Sequence, residues 1–375
     1  MISFLVVLGA IIGLVGIFQP KLKNICGGVT FIVLYIVMVF NNNNVDYNSY
    51  SRNYYSGLFE HENVFSLIEA FFRSIGLSFA QFFAVVLSVC FLLVFITVKR
   101  LNVNPSAFCI LYFLYPFCLD IIQIRNFLAY SFVFFALPLL INNDKKSKII
   151  YTILVLIAAS IHFSCIVYIF IIFYEFIKNS NKIKAIYGIL TGVFILLTFN
   201  IGRLTSYLDF FQTTVYKYLN ESRVYEMSIN DIGERGYIVF YGVHFITILL
   251  MVLCYKYLNQ QENVEIQTKN KRNIIIDVNT GKKYIEVVMW LGIVLTIFIP
   301  LYRFQATLFR ITRNLMIIDY SALLVFTRLT NDKRKKYLFS FLCFILVCFL
   351  FWFEIYRGLN KELIFEAVLK NNWLN

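Results

Sequence analysis

The chain has 375 residues, of which 60% are apolar, 18% aromatic and only 15% charged. That charge is too little to cover a soluble globule of this size with polar surface, which leaves a lipid bilayer as the natural solvent. The formal net charge of +13 would suggest nucleic acid in a soluble domain, but here the Lys residues fall in short loops between apolar stretches, a pattern that reports membrane orientation and excludes a nucleic-acid partner.

Taken in chain order, weakly charged stretches long enough to cross a bilayer run over 2–18, 24–45, 77–98, 101–119, 126–143, 149–174, 185–202, 236–255, 287–302 and 337–353. A further helix is entered through the Arg cluster around Arg310. The predicted fold is all-α: one integral-membrane domain over 1–375, a polytopic bundle of about 11–13 transmembrane helices. The first stretch resembles a secretory signal, yet no small-residue cleavage site precedes Lys21 and Lys23 and more spans follow, so it is counted as a helix. An outer loop over 41–76 begins with four Asn and cannot cross. Within it, 64–75 places Val64, Leu67, Ile68, Phe71, Phe72 and Ile75 at helical spacing, with Glu69 and Arg73 on the other face, and predicts a helix lying flat at the interface. An outer cap loop over 203–236 mixes charges with aromatic residues. A cytoplasmic loop over 258–285 is rich in Asn, Gln, Lys and Glu and has no catalytic signature. The eight Cys show no metal-like pairing and read as small core residues. P-loop, dinucleotide and metal-ligand motifs are absent, so no cofactor and no metal is expected.

Placing the basic loops in the cytoplasm puts 17 of the 20 Lys inside but only 4 of the 14 Arg. Orientation needs cations of either kind on the cytoplasmic side, so it leaves ten outer Arg unexplained. An Arg fork grips phosphate oxygens bidentately, whereas Lys is a hydrated point charge, so the split predicts an outer phosphate-bearing substrate. The plainer alternative is that these Arg snorkel or pair with loop acids such as Asp209, Glu221, Glu226, Asp231 and Glu234. The assignment demands two crossings between basic loops in 149–177, about 29 residues, where two full spans need roughly 40. Short broken or re-entrant helices meeting near 158–164 satisfy both constraints and put His162 at their tip. The alternative is a single long helix with every later segment reversed.

Ionisable residues at membrane depth are default functional candidates, and four groups qualify on the outer side. They are Asp46 with Tyr50; Arg125 with Asn126 and Ala129; His162 with Ser164; and Arg303, Arg310 and Arg313 at the start of the helix that carries Asp319. Outer Arg223 and Arg235 add to the expected substrate contacts. Asp46 reads equally as a turn or cap residue after the Asn run, His162 as a helix-breaking residue bonded to backbone, and Asp319 as the partner of a neighbouring Arg. His61 reads as a loop residue and His244 as a packed helix residue.

In this order the four groups resemble the EpsG/Wzy-type bacterial polysaccharide polymerases, with their Asp-Tyr-x-x-Tyr-like loop, Arg-Gln-x-x-Ala-like helix start, His-x-Ser-like break and late Arg cluster. Asn126 departs from the pattern, where the family commonly has Gln, but keeps an amide donor and acceptor. The resemblance covers most of the chain. It implies a GT-C-like fold in the bacterial cytoplasmic membrane, an active site facing outside, and a glycosyltransferase that joins undecaprenyl-pyrophosphate-linked oligosaccharide repeat units. The partners it implies are that lipid-linked oligosaccharide, membrane lipid, a chain-length regulator and a flippase. Arg forks would stabilise the leaving pyrophosphate, and His162 or Asp46 would serve as general base. A lipid-linked glycan flippase, another membrane glycosyltransferase and a glycan ligase are the rival readings.

Overall fold

The computed structural model describes residues 2–42, 44, 46–57, 64–199, 236–260, 278–303 and 306–370. Most of the expected cap loop over 203–236, with Arg223 and Arg235, and most of the loop over 258–285 lie outside the described residues. His61 also lies outside them.

The protein is an all-α membrane bundle. Its first half comprises α1 (Ile2–Phe18), α2 (Lys23–Val39), α3 (Tyr47–Ser56), α4 (Val64–Ser74), α5 (Phe79–Arg100), α6 (Pro105–Leu114), α7 (Phe117–Ile122) and α8 (Ile124–Ala136). It continues through α9 (Lys145–Ile161), α10 (Tyr174–Asn179), α11 (Asn181–Phe199), α12 (Gly236–Gln260), α13 (Val278–Leu295), α14 (Arg310–Leu329), α15 (Lys333–Leu350) and α16 (Ala367–Lys370). Short 3₁₀ stretches extend α8 (Leu137–Asn142) and α13 (Thr296–Arg303). Five described segments are long and apolar enough to cross a membrane unaided: Phe79–Arg100, Ile124–Asn142, Gly236–Gln260, Val278–Tyr302 and Lys333–Tyr356. Local sequence starts these helices where side chains satisfy free backbone N–H groups. Ser78 and Gln81 form a capping box before α5, Asn104 caps α6 with Pro105 in its first turn, and Asp144 and Asp332 cap α9 and α15.

The expected pair of short helices around 149–177 exists, and its geometry shows how so few residues run out and back. The chain leaves α9 at His162, whose backbone is extended (φ −142°, ψ 110°), and returns as a 3₁₀ helix, Phe163–Phe173, followed by α10. A 3₁₀ helix rises about 2.0 Å per residue against about 1.5 Å for an α-helix. The 11 residues of the return leg therefore climb about 22 Å, close to the 25 Å or so of the 17-residue α9. Inside the hairpin Tyr151 donates to the Tyr168 carbonyl at 2.7 Å. At its foot Lys148 meets Glu175 at 3.4 Å. The single long helix is thereby overturned: an antiparallel hairpin has Lys145 and Asn179 at one end and its buried His162 turn at the other.

Other contacts gather the basic segments at the foot of this hairpin. Lys178 is paired with Glu286 of α13, Lys99 donates to Asn24 at 3.4 Å, Arg328 donates to the Asn102 carbonyl at 3.4 Å, and Lys335 lies 3.5 Å over the Tyr257 ring. The His162 turn and the beginnings of α8 and α14 occupy the opposite end.

Packing among the helices that open the chain depends on small residues, which let backbones approach closely in a membrane, where Leu gains little by leaving lipid. A Cβ at Gly16 of α1 would sit 2.0 Å from Ser106 Oγ and 2.6 Å from Cys26 Cβ, whereas one at Gly28 of α2 would meet nothing within 4 Å. Gly16→Val is expected to lower the thermal midpoint of the detergent-solubilised protein by several degrees, consistent with an overpacking penalty of about 1–3 kcal/mol. Gly28→Val should leave it unchanged. Scanning fluorimetry on the two variants makes the comparison.

Candidate functional site

Four separated segments converge at the end of the bundle opposite the basic loops, and each is held there by a specific bond. The Asn run fixes the first. Asn44 donates to Asn41 at 2.8 Å, and its own carbonyl oxygen accepts the Asp46 and Tyr47 backbone N–H groups at 3.1 and 2.9 Å. Asn44 thus caps α3, and Asp46 makes no side-chain cap hydrogen bond. Asp46 thus sits in the turn at the N-cap position, as one of the two readings has it, without a cap bond from its side chain. Its carboxylate is left to interact with Arg310, which opposes the upward pKa shift that burial imposes on it.

One turn along α3, Tyr50 packs edge-on to Phe65 at 6.0 Å between ring centroids. Burial, reinforced by Asp46, pushes its hydroxyl up to about 12, with Arg125 and Arg310 opposing. The Asp46–Tyr50 pair singled out in sequence is therefore within electrostatic reach of both cations, and Tyr50 is a neutral hydroxyl at any physiological pH.

Arg125 opens α8. Its Nε donates to the Ile161 carbonyl at 2.8 Å, satisfying a backbone group left free where α9 ends. Its terminal nitrogens make no hydrogen bond among the described residues, and the side chain is only half-buried. Directly after that carbonyl comes His162. Arg310 Nη1 lies 2.7 Å from His162 Nε2, and His162 Nδ1 lies 2.7 Å from Ser164 Oγ. Because a guanidinium can only donate, Nε2 accepts, the ring proton resides on Nδ1, and Nδ1 donates to Ser164. His162 is bonded through both ring nitrogens to side chains. The reading as a residue bonded to backbone is corrected, and no lone pair remains available on the ring as observed.

The neighbouring pair Asn126 and Asn314 exchange amide hydrogen bonds at 3.1 and 3.2 Å, both buried, which pins the start of α8 to α14. Tyr168 donates to the Ile311 carbonyl at 3.2 Å and fastens the 3₁₀ leg to the first turn of the same helix. Arg313, one turn from Arg310, faces the interior and is 3% exposed. It bonds Gln123 and meets Glu354 at 3.5 Å, and Glu354 also accepts from Tyr115. The late Arg cluster therefore divides: Arg310 joins the site, and Arg313 sits in an internal ion pair behind it. Arg303 ends the 3₁₀ extension of α13, and its side chain lies outside the described residues. Asp319 is buried on α14 and has no ion pair among the described residues, so the expected pairing with a neighbouring Arg is not seen. His244 is a packed helix residue, bonded to the Gly292 carbonyl at 3.0 Å and Thr296 at 3.2 Å.

The residue that sequence reasoning missed is Glu69. The helix over 64–75 forms, but its polar face does not turn to water. Leu67, Phe71 and Ile75 are exposed, while Glu69 is 7% exposed and packed inward with Phe65 and Ser66. Burial raises its carboxyl to about 7 against the opposing pull of Arg125. One of its oxygens, Oε1, has no hydrogen-bond partner among the described residues. An available signal was the helix itself: when the apolar face of a short interfacial helix meets lipid, an acid opposite must face protein or water, and a cation-rich cluster next door favours protein.

The Arg313 arrangement supports a stability prediction. Arg313→Ala leaves the half-buried Glu354 without its cation and is expected to cost on the order of 1–3 kcal/mol. The double variant Arg313→Met/Glu354→Met should recover most of the loss. Midpoints of thermal unfolding in detergent for the single and double variants measure it.

The chain matches the family model described as the EpsG family over residues 24–365. Searches among curated proteins and among solved structures find no match. A match that runs from α2 past α15 takes in every segment that contributes to the site, and on that extent the chain belongs to the EpsG family.

Proposed function

We propose that the protein is a polysaccharide polymerase that joins undecaprenyl-pyrophosphate-linked oligosaccharide repeat units by glycosyl transfer on the outer face of the bacterial cytoplasmic membrane. The observation that carries the reading is Arg125, anchored through Nε on the Ile161 carbonyl with both terminal nitrogens unbonded among the described residues. It stands in a cluster with a second guanidinium, Arg310, and two carboxylates. A fork held by its stem and open at its tips suits a phosphate that gains charge as a bond to it breaks. The positive-inside rule supports the orientation, because the Lys-bearing ends of the hairpin and its neighbours lie together at the opposite end.

In this reading Arg125 and Arg310 hold the pyrophosphate of the donor, so that charge developing on the leaving oxygens meets donors already in place. His162, bonded on one side to Ser164 and on the other to Arg310, sets the Arg310 guanidinium in position. Asp46 balances Arg310 and keeps it from collapsing onto other anions. Tyr50, neutral and half-buried, offers a hydroxyl to a sugar or phosphate oxygen. A chain-length regulator and a flippase are proposed as partners in the membrane.

Deleting the gene is expected to leave cells with single repeat units on the lipid, accessible from outside, and no polymer. Repeat units trapped on the cytoplasmic side would indicate a flippase, and polymer persisting would overturn the polymerase reading.

Arg125→Ala should insert normally and lose about 10²–10³-fold in chain extension, the scale of removing one preorganised donor to an anion. Arg125→Lys should recover little, since one ammonium cannot both hold the Ile161 carbonyl and present a fork. Gel profiles of polymer length against membrane-inserted protein give the measurement, and normal lengths in Arg125→Ala would remove the residue from the site.

A further inference from the structure

Attack by a sugar hydroxyl needs a group to receive its proton, and the site contains three candidates: His162, Asp46 and Glu69. The His162 ring is committed on both sides, Nε2 accepting from Arg310 and Nδ1 donating to Ser164. To act as base it would first have to release Arg310. Asp46 is partly exposed and interacts with Arg310 as a counter-charge, and that attraction reduces its appetite for a proton.

Glu69 differs from both. It is more than nine-tenths buried, and Oε1 has no hydrogen-bond partner among the described residues. Leaving a buried carboxylate oxygen unpaired is costly, and such groups in native structures call for an explanation. Among the described residues, the groups acting electrostatically on Glu69 are Arg125 of α8 and Tyr50 and Tyr54 of α3. Arg73, on the same helix, is bonded to the Tyr54 carbonyl. Arg125 is the guanidinium with open tips. A carboxylate flanking the cation that holds the leaving phosphate is placed to meet the other reactant.

We propose that Glu69 is the general base of the transfer. Its carboxylate takes the proton of the attacking sugar hydroxyl as that oxygen bonds to the anomeric carbon of the donor, while the bond from that carbon to the pyrophosphate oxygen breaks and the lipid pyrophosphate leaves with the electron pair. This rests on the polymerase reading above. Burial against Arg125 puts the carboxyl near 7, so it is a proton acceptor of useful strength at neutral pH.

The test uses purified full-length protein in lipid nanodiscs and, as probe, lipid-linked repeat units extracted from cells lacking the gene. Glu69→Gln is expected to lower kcat by about 10²–10⁴-fold with KM within about threefold, and Glu69→Asp should retain an intermediate rate. The wild-type rate should rise as pH climbs through about 7, the deprotonated carboxylate being the active form, and Glu69→Gln should lack that limb. A kcat for Glu69→Gln within about fivefold of wild type, an unchanged acid limb, or a loss confined to KM would overturn the proposal and leave the polymerase reading standing. Should Glu69→Gln fail to insert, the wild-type profile decides, and absence of an acid limb near neutrality overturns it. Wild-type protein that forms no polymer from this probe overturns both.

Discussion

A membrane tolerates no free backbone carbonyl, and the structure depends on how one such group is satisfied. α9 ends at Ile161 because His162 turns extended, which leaves a helix-terminal oxygen at the tip of a hairpin. Arg125 from α8 donates to it. That single bond joins the hairpin to the helix beside it, and Arg310 completes the join by donating to His162. Two cations are thereby brought to one place to secure a break in the backbone. One of them retains unbonded nitrogens directed by the same anchor.

The rest of the bundle makes that break possible. The 3₁₀ return leg crosses in few residues because it is steep, and its poorer hydrogen-bond geometry is offset by two tyrosine bonds, Tyr151 to its backbone and Tyr168 from it to α14. The reciprocal amides of Asn126 and Asn314 are buried and mutually saturated. Gln at position 126 would lengthen one partner by a methylene and shift that register. Here the shorter amide acts between helices, so its departure from the family pattern is matched by Asn314 and has no visible consequence for substrate contact.

Much of this was legible in the sequence because membranes enforce strict rules. Apolar stretches marked the helices, Lys-rich loops marked one end, and two crossings between basic loops 149–177 required a break whose tip held His162. Arg125, an ionisable residue between apolar spans, was among the functional candidates on that ground alone. Contacts across the bundle were not legible. Nothing in the spacing of Arg310 and Arg313, three residues apart, says that one faces the site and the other Glu354. Asn44 taking the cap from Asp46 is a choice between two equally suitable residues, decided by the local path of the chain. Glu69 was hidden by a sound pattern applied in the wrong solvent: amphipathicity gives the two faces of α4 but not which of them meets protein.

α4 also defines what separates the site from its surroundings. Its outward side chains, Leu67, Phe71 and Ile75, are exposed, and its inward turn carries Glu69. Apolar side chains and the buried acid thus lie on opposite faces of one short helix, which ends at Gly76 in left-handed backbone. A substrate whose head is a charged sugar phosphate and whose tail is a long polyprenyl chain need not be extracted from the bilayer to react. Under the proposed function head and tail would lie on the two sides of the same short helix, and the depth of α4 would set the height at which the anomeric carbon is presented.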